Sequence, residues 1–241
     1  MEFTILIILL ILSTIQSIFG IGLLVLGTPI FLTLDYSFTN ALSILLPTSI
    51  LINFVHISKK EIIINTNLKK RLFLYCMPFI VIGCIISYNY EEKINYKFLI
   101  GLITFSLIFY KIFFLKKNYI FFSKIKNIIF QVIGLIHGIS NSGGGLLSIT
   151  LSALNKNNKN NTRNSIAYFY LFFATVQYII LLIINPSLFV VSNIIYITIA
   201  ALIGSYLGNK IFYKLEAKKY ISALDFLIII ASMILIFSAF N

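Results

Sequence analysis

The stretch Asn141-Ser142-Gly143-Gly144-Gly145-Leu146 interrupts an apolar run that covers residues 127–154. At 28 residues this run is too long for one ordinary membrane crossing, which takes about 20 apolar residues. Glycine weakens a helix because it has the most backbone freedom to lose when it is ordered. The residues between Gly145 and Asn155 extend only roughly 14 Å as a helix and do not cross a bilayer alone. We therefore predict that the chain folds back at the three glycines, which form the break themselves.

A second run of this kind covers residues 3–34 and carries Gly20-Ile21-Gly22 in its middle. Gly20 overlies Gly143 at an offset of 123, and Glu91 overlies Glu216 at an offset of 125. In both halves a long apolar run broken by glycines comes first and three further apolar runs follow. This shared order predicts a duplication, with a first membrane repeat at 1–126 and a second at 127–241.

The composition indicates a protein that is almost entirely embedded in lipid. Hydrophobic residues make up 59% of the chain, charged residues 11%, and the mean hydropathy is +0.99. These values leave no room for a soluble domain. The net charge of +12 resides in short clusters between the apolar runs, where it sets membrane orientation, so no nucleic acid partner is expected. The further apolar runs lie at 41–58, 72–88, 98–115, 165–184, 188–208 and 221–240.

Basic residues then predict the topology. If both long runs return to the side that they entered, the links at 59–71, 111–126, 156–163 and 210–219 carry 17 of the 19 basic residues on one face. Only Lys93 and Lys97 remain opposite. Because Lys and Arg favour the cytoplasmic side, both termini are expected outside the cytoplasm, in a bacterial-type inner (plasma) membrane. The predicted fold class is an all-α integral membrane protein with two inverted-topology repeats, each a glycine-broken re-entrant helical hairpin followed by three transmembrane helices.

The two breaks form the predicted site, because irregular backbone at membrane depth persists only where it lines a polar interior. Helices that restart at Leu23 and Leu146 would direct free N–H groups and positive dipole ends into this interior, an arrangement that suits a small anionic solute. Neutral donors flank both breaks. No catalytic residue, metal or cofactor is predicted. The predicted substrate-binding residues are Gln16, Ser17, Gly20, Gly22, His137, Ser140, Asn141, Ser142, Gly143, Gly144 and Gly145.

The glycine motifs resemble the TauE/SafE sulfite exporter family of membrane permeases. A Gly-x-Gly or Gly-Gly-Gly break followed by apolar residues occurs once in each half of such a chain, and the similarity runs along the whole length. Residues 141–146 are its most specific part; at Gly20-Ile21-Gly22 an isoleucine stands where a third glycine would complete the motif. The resemblance implies transport of sulfite or small organosulfur anions.

The sequence also allows other interpretations of these residues. The glycines could be packing contacts between helices, as they often are in membranes. His137 could carry a proton, donate to a ligand or make an interhelical hydrogen bond. Cys76 and Cys84 are expected to serve packing. A non-transporting membrane assembly subunit is the alternative function; an intramembrane enzyme is disfavoured, since no Gly-x-Ser-x-Gly or His-Glu-x-x-His motif occurs.

Overall fold

The computed structural model describes residues 2–58, 64–90, 93, 95–114, 126–155, 158–188 and 192–238. Parts of the predicted basic links at 59–71, 111–126 and 156–163 and the predicted match at Glu91 fall outside these residues. Helices account for all regular structure in the described part of the chain. The α-helices are α1 Glu2–Phe19, α2 Leu23–Thr33, α3 Phe38–Ile57, α4 Thr66–Arg71, α5 Met77–Asn89, α6 Tyr96–Phe114, α7 Lys126–Ser140, α8 Gly144–Leu154, α9 Lys159–Ile184, α10 Ser192–Lys214 and α11 Ala217–Ser238.

Local sequence signals start the two helices that later carry the site. Ser37 caps α3 and accepts a hydrogen bond from the Asn40 N–H (3.2 Å), while Asn158 caps α9 and accepts one from the Asn161 N–H (3.0 Å). Between α4 and α5 the chain forms a π-helical turn over Leu72–Cys76. Pro78 lies two residues after this turn and has no N–H to donate, so the preceding turn opens.

The molecule has an apolar outside and a polar inside. Four helical segments are long and apolar enough to cross a membrane within the described residues: Phe38–Ile57, Thr66–Asn89, Lys159–Ile184 and Ile194–Lys214. Large apolar side chains such as Ile183 (74% exposed) and Phe237 (70%) cover the exterior. Fully buried polar side chains line the interior; they include Gln16, Ser49, Asn53, His137, Asn141 and Gln177. This distribution is that of an integral membrane protein.

Small residues allow the closest helix contacts. Gly204 and Gly208 of α10 lie against Ser13 and Ser17 of α1, where a Cβ on Gly208 would lie 2.5 Å from the Cβ of Ser17. Gly134 and Gly138 of α7 lie in the same way against the backbone of the segment from the π turn to α5. Both glycine pairs are spaced four residues apart, which lets two helices approach without intervening side chains.

Several helix boundaries recur at one spacing along the chain. The ends of α1 and α7, both boundaries of α2 and α8, and the starts of α3 and α9 are each 121 residues apart. This spacing is two residues shorter than the offset of 123 at which the glycines overlie each other.

Packing between the halves is reciprocal. The first helix of each half packs on a later helix of the other, α1 on α10 and α7 on α5. Helix α3 packs on α9, and α6 packs on α11. Each of these four pairs therefore joins a helix of the first half to a helix of the second half.

Candidate functional site at the two helix breaks

The first break lies between α1 and α2. Gly20 has φ 77° and Gly22 has φ 144°, conformations that residues with a side chain rarely adopt. A Cβ on Gly22 would lie 2.6 Å from the Ile15 side chain, and one on Gly20 would lie 3.0 Å from Ile166 of α9. These glycines are required both for the backbone turn and for close packing.

The neutral side chains at this first break are already hydrogen-bonded to other groups of the protein. The Leu23 N–H donates to Oε1 of Gln16 (3.1 Å), which caps the start of α2. The Gln16 amide in turn donates to the Ser49 hydroxyl (2.9 Å), and Asn53 donates to the same hydroxyl (3.2 Å). Gln16, Ser49 and Asn53 thus bind one another, all of them buried.

The second break turns at an asparagine. Asn141 has φ 58°, and its N–H donates to the His137 carbonyl (2.8 Å) to end α7. Asparagine tolerates this left-handed conformation better than most residues, and it occupies the position at which the first break has a glycine. Gly143 has φ −58° and lies in the break as the N-cap of α8, whereas Gly144 and Gly145 already belong to α8. The prediction that all three glycines form the break is therefore wrong for Gly144 and Gly145, as is the predicted restart at 146.

The glycines of the second break instead provide space. A Cβ on Gly143 would lie 2.7 Å from the Cβ of His137 on α7. A Cβ on Gly144 would overlap the Tyr170 hydroxyl and lie 2.9 Å from the Val25 side chain of α2. Because Gly144 has no side chain, the Tyr170 hydroxyl of α9 reaches the backbone at the start of α8.

The second break lies against α2, the helix that follows the first break. The Asn141 amide donates to the Thr28 hydroxyl of α2 (2.9 Å), a bond between the two halves. The Ser140 and Ser142 hydroxyls lie 2.6 Å apart and bond to each other beside it. The start of α8 is therefore held against α2 by a direct polar contact as well as by packing.

Several buried polar atoms at the second break have no hydrogen-bond partner in the described part of the chain. They are both ring nitrogens of His137, Oδ1 of Asn141, the hydroxyl of Tyr170 and Oε1 of Gln177. The Gln177 amide donates to the His137 carbonyl (3.1 Å), so this side chain adjoins the imidazole without a bond of normal geometry to it. Buried polar groups are nearly always bonded, and a cluster of unbonded ones indicates a place for a polar ligand.

Backbone donors add to this cluster. Within the described residues, the N–H groups of Gly143, Gly144 and Leu146 donate to nothing, and that of Gly145 reaches the Ser142 carbonyl only at 3.3 Å. The first turn of a helix carries a partial positive charge on such groups. The start of α8 and the Tyr170 hydroxyl therefore present several donors to one buried region.

A comparison with family models gives the identity of this architecture. Residues 5–236 match the model described as sulfite exporter TauE/SafE. The chain belongs to the TauE/SafE family. The resemblance seen in the glycine motifs is thereby confirmed, and the protein is a membrane transporter, not an enzyme. A search of curated proteins and one of solved structures found no match to this chain.

In this TauE/SafE protein the predicted residues separate into two groups. Those of the second break, from His137 to Gly145, lie together, and several of their hydrogen-bonding groups have no partner within the described residues. Gln16 lies at the first break but is bonded to Ser49. Ser17 does not take part, because its hydroxyl donates to the Ser205 carbonyl of α10 (3.1 Å).

The sequence contained a usable signal for the site residues that reasoning from the glycines missed. Ser49 and Asn53 are four residues apart on α3, and Tyr170 and Gln177 are seven apart on α9, spacings that place polar groups on one helix face. Polar groups aligned on one face of an apolar helix indicate an interior surface. Ser49 and Tyr170 also lie 121 residues apart, the spacing at which the helix boundaries recur.

The chemistry of the second break suits an anion that also carries a hydrogen-bonding group. Neutral donors from Tyr170 and the start of α8 stabilise negative charge without a fixed cation. The amide oxygens of Asn141 and Gln177 accept hydrogen bonds, and neutral His137 supplies one donor and one acceptor. All the side chains that form this cluster are uncharged or, for histidine, neutral in one protonation state.

Proposed function

We propose that this TauE/SafE transporter is a permease for a small anion, sulfite or a small organosulfur anion, which binds at the second helix break, beside α2. The observation that carries the proposal is the cluster of unbonded groups at the second break: the Tyr170 hydroxyl, His137 and the free N–H groups at the start of α8. An oxyanion offers several acceptors in a small volume and would satisfy these donors together.

The cluster contains no lysine or arginine, which favours reversible binding of an anion, as transport requires, over tight retention. Hydrogen bonds from neutral groups hold an anion less strongly than a buried cation would, because each is a dipole and not a full charge. A solute bound in this way can leave on either side once access changes. The proposal therefore places neutral donors at the centre of the route.

We also infer that the halves are inverted repeats with re-entrant hairpins. The common offset of 121, the reciprocal packing and the length of α2 and α8, each about 16 Å, support this arrangement, because such short helices reach only part of the way across a bilayer. The 17 to 2 distribution of basic residues supports an inner-membrane location with both termini outside the cytoplasm.

Efflux from proteoliposomes that contain only this protein tests the proposal. A cytoplasm-negative potential of 100 mV favours anion exit by about 2.3 kcal/mol per charge, so export needs no coupling ion. Vesicles loaded with sulfite are expected to release it faster under an inside-negative potential and more slowly when valinomycin and equal potassium remove the potential. Protein-free vesicles are the control, and thiosulfate, sulfoacetate and sulfate define the range of solutes.

Two results would contradict the proposal in different ways. No flux of any of the four anions above the protein-free level would show that the chain is not a permease for sulfur oxyanions. Efflux that ignores the potential, follows a pH gradient and is lost in His137→Gln would show that the histidine couples transport to protons.

A further inference from the structure

Arg163 is a buried cation near the start of α9. Its side chain is 2% exposed, its guanidinium donates to Oδ1 of Asn209, and the guanidinium carbon lies 4.1 Å from the centre of the Phe212 ring. No other hydrogen bond of this guanidinium is found within the described residues. The ion pairs that the described chain does form, Lys97 with Asp35 and Lys219 with Glu216, lie elsewhere and involve exposed carboxylates.

A buried guanidinium without a carboxylate is unusual. It stays protonated under all ordinary conditions, so it cannot become neutral as a buried lysine can. Burial of one charge without a partner is strongly unfavourable, and buried arginines are accordingly paired in most proteins. A second cation, Lys159, lies 4.7 Å from the centre of the same Phe212 ring and donates to the Phe212 and Leu215 carbonyls. Neither cation forms an ion pair with a carboxylate within the described residues.

This region adjoins the first break. A Cβ on Gly20 would lie 3.1 Å from the Arg163 carbonyl. The Tyr220 hydroxyl donates to the Phe19 carbonyl at the end of α1 (2.8 Å), and the Tyr220 ring packs on Phe212 at 5.8 Å between centres. Helices α9, α10 and α11 thus converge on the end of α1, with the guanidinium between them.

We propose that Arg163 binds the anionic solute at the first break, as a binding position distinct from the neutral donors of the second. The inference rests on the proposed function. A planar guanidinium can donate two parallel hydrogen bonds to two oxygens of one sulfur oxyanion. It also accounts for the difference between the breaks: Gln16 and Ser49 are bonded to each other at the first, where a charge is available, while the neutral donors at the second are free.

Arg163→Gln and Arg163→Lys test this inference, with Arg71→Gln as the matched control. Arg71 is the other arginine of the chain, it is half-buried, and its guanidinium lies 5.7 Å from the centre of the Phe130 ring, so it shares the residue type and an aromatic neighbour. Equilibrium binding of radiolabelled sulfite to the purified full chain is measured together with its efflux. Loss of a charge-assisted contact should weaken sulfite binding by about tenfold or more in Arg163→Gln. Arg163→Lys keeps the charge without the fork and should lie between that value and the original affinity.

The outcomes separate this inference from the proposed function. Full binding stoichiometry of Arg163→Gln at saturating sulfite shows that the variant is folded; if it does not fold, the weaker binding expected of Arg163→Lys carries the test. Sulfite affinity within twofold of the unmodified protein in both Arg163 variants, or an equal loss in Arg71→Gln, overturns the role of Arg163 and leaves the permease standing. An unmodified protein that binds and transports none of the four anions overturns the proposed function itself.

Discussion

Replacement of Tyr170 by phenylalanine should weaken anion binding without lowering the stability of the protein. The hydroxyl is fully buried and bonds to no described group, and the change leaves the ring in place, so no cavity forms. Removal of an unsatisfied buried polar group avoids a desolvation penalty of about 1–3 kcal/mol, so the free energy of unfolding should stay the same or rise by about 1 kcal/mol. A hydrogen bond to a charged ligand contributes about 1.5–3 kcal/mol, so loss of this donor should weaken anion binding about 10- to 150-fold.

The assay compares Tyr170→Phe with Tyr178→Phe, a tyrosine two turns further along α9 that is only half-buried. Thermal unfolding in detergent reports the stability of each variant, and equilibrium binding of radiolabelled sulfite reports the affinity. The expected result is an unchanged or raised unfolding temperature with weaker sulfite binding in Tyr170→Phe alone. Normal sulfite affinity in Tyr170→Phe would refute the argument that the unbonded hydroxyl awaits the solute.

Three further predictions concern topology and packing. In a cysteine-free background, a cysteine at Asn40 should react with an impermeant thiol reagent added to intact cells and one at Asn65 should not; equal labelling of the two would contradict the topology. Gly204→Leu should lower the unfolding temperature by several degrees, since its side chain would collide with Ser13 of α1, and an unchanged temperature would show that α1 and α10 are not in close contact. Gly20→Ala should destabilise by about 1–2 kcal/mol in chemical denaturation, because alanine rarely adopts φ 77°; full stability would show that the turn is not strained there.

The sequence predicted the two breaks because glycines in the middle of an apolar run that is too long for one membrane crossing indicate an interrupted helix. The restart of α2 at Leu23 is confirmed. The details of the second break were wrong because left-handed backbone fell on Asn141, which glycine-based reasoning passes over, while the glycines serve close packing. The offset of 123 came from a match of glycine to glycine, whereas the residues with positive φ that directly follow α1 and α7 are Gly20 and Asn141, which are 121 residues apart.

The identity of the site residues could be predicted only in part. The polar residues around the second break were visible because they adjoin the motif in sequence. Tyr170 and Ser49 are remote in sequence, and only helix packing brings them to the breaks. Arg163 was counted among the basic residues that orient the protein, since burial of a charge depends on the neighbours that α10 and α11 supply. Composition and motif sufficed for the membrane class and the family.

The central claim is that the anion binds at the second break, and its location can be observed directly. Selenite has the same shape and charge as sulfite, and selenium gives an anomalous X-ray signal. In crystals of the protein grown with selenite, the account predicts an anomalous peak within hydrogen-bonding distance of the Tyr170 hydroxyl and the N–H groups at the start of α8. A selenium peak confined to the protein surface, or a second break that stays empty at saturating selenite, would contradict it.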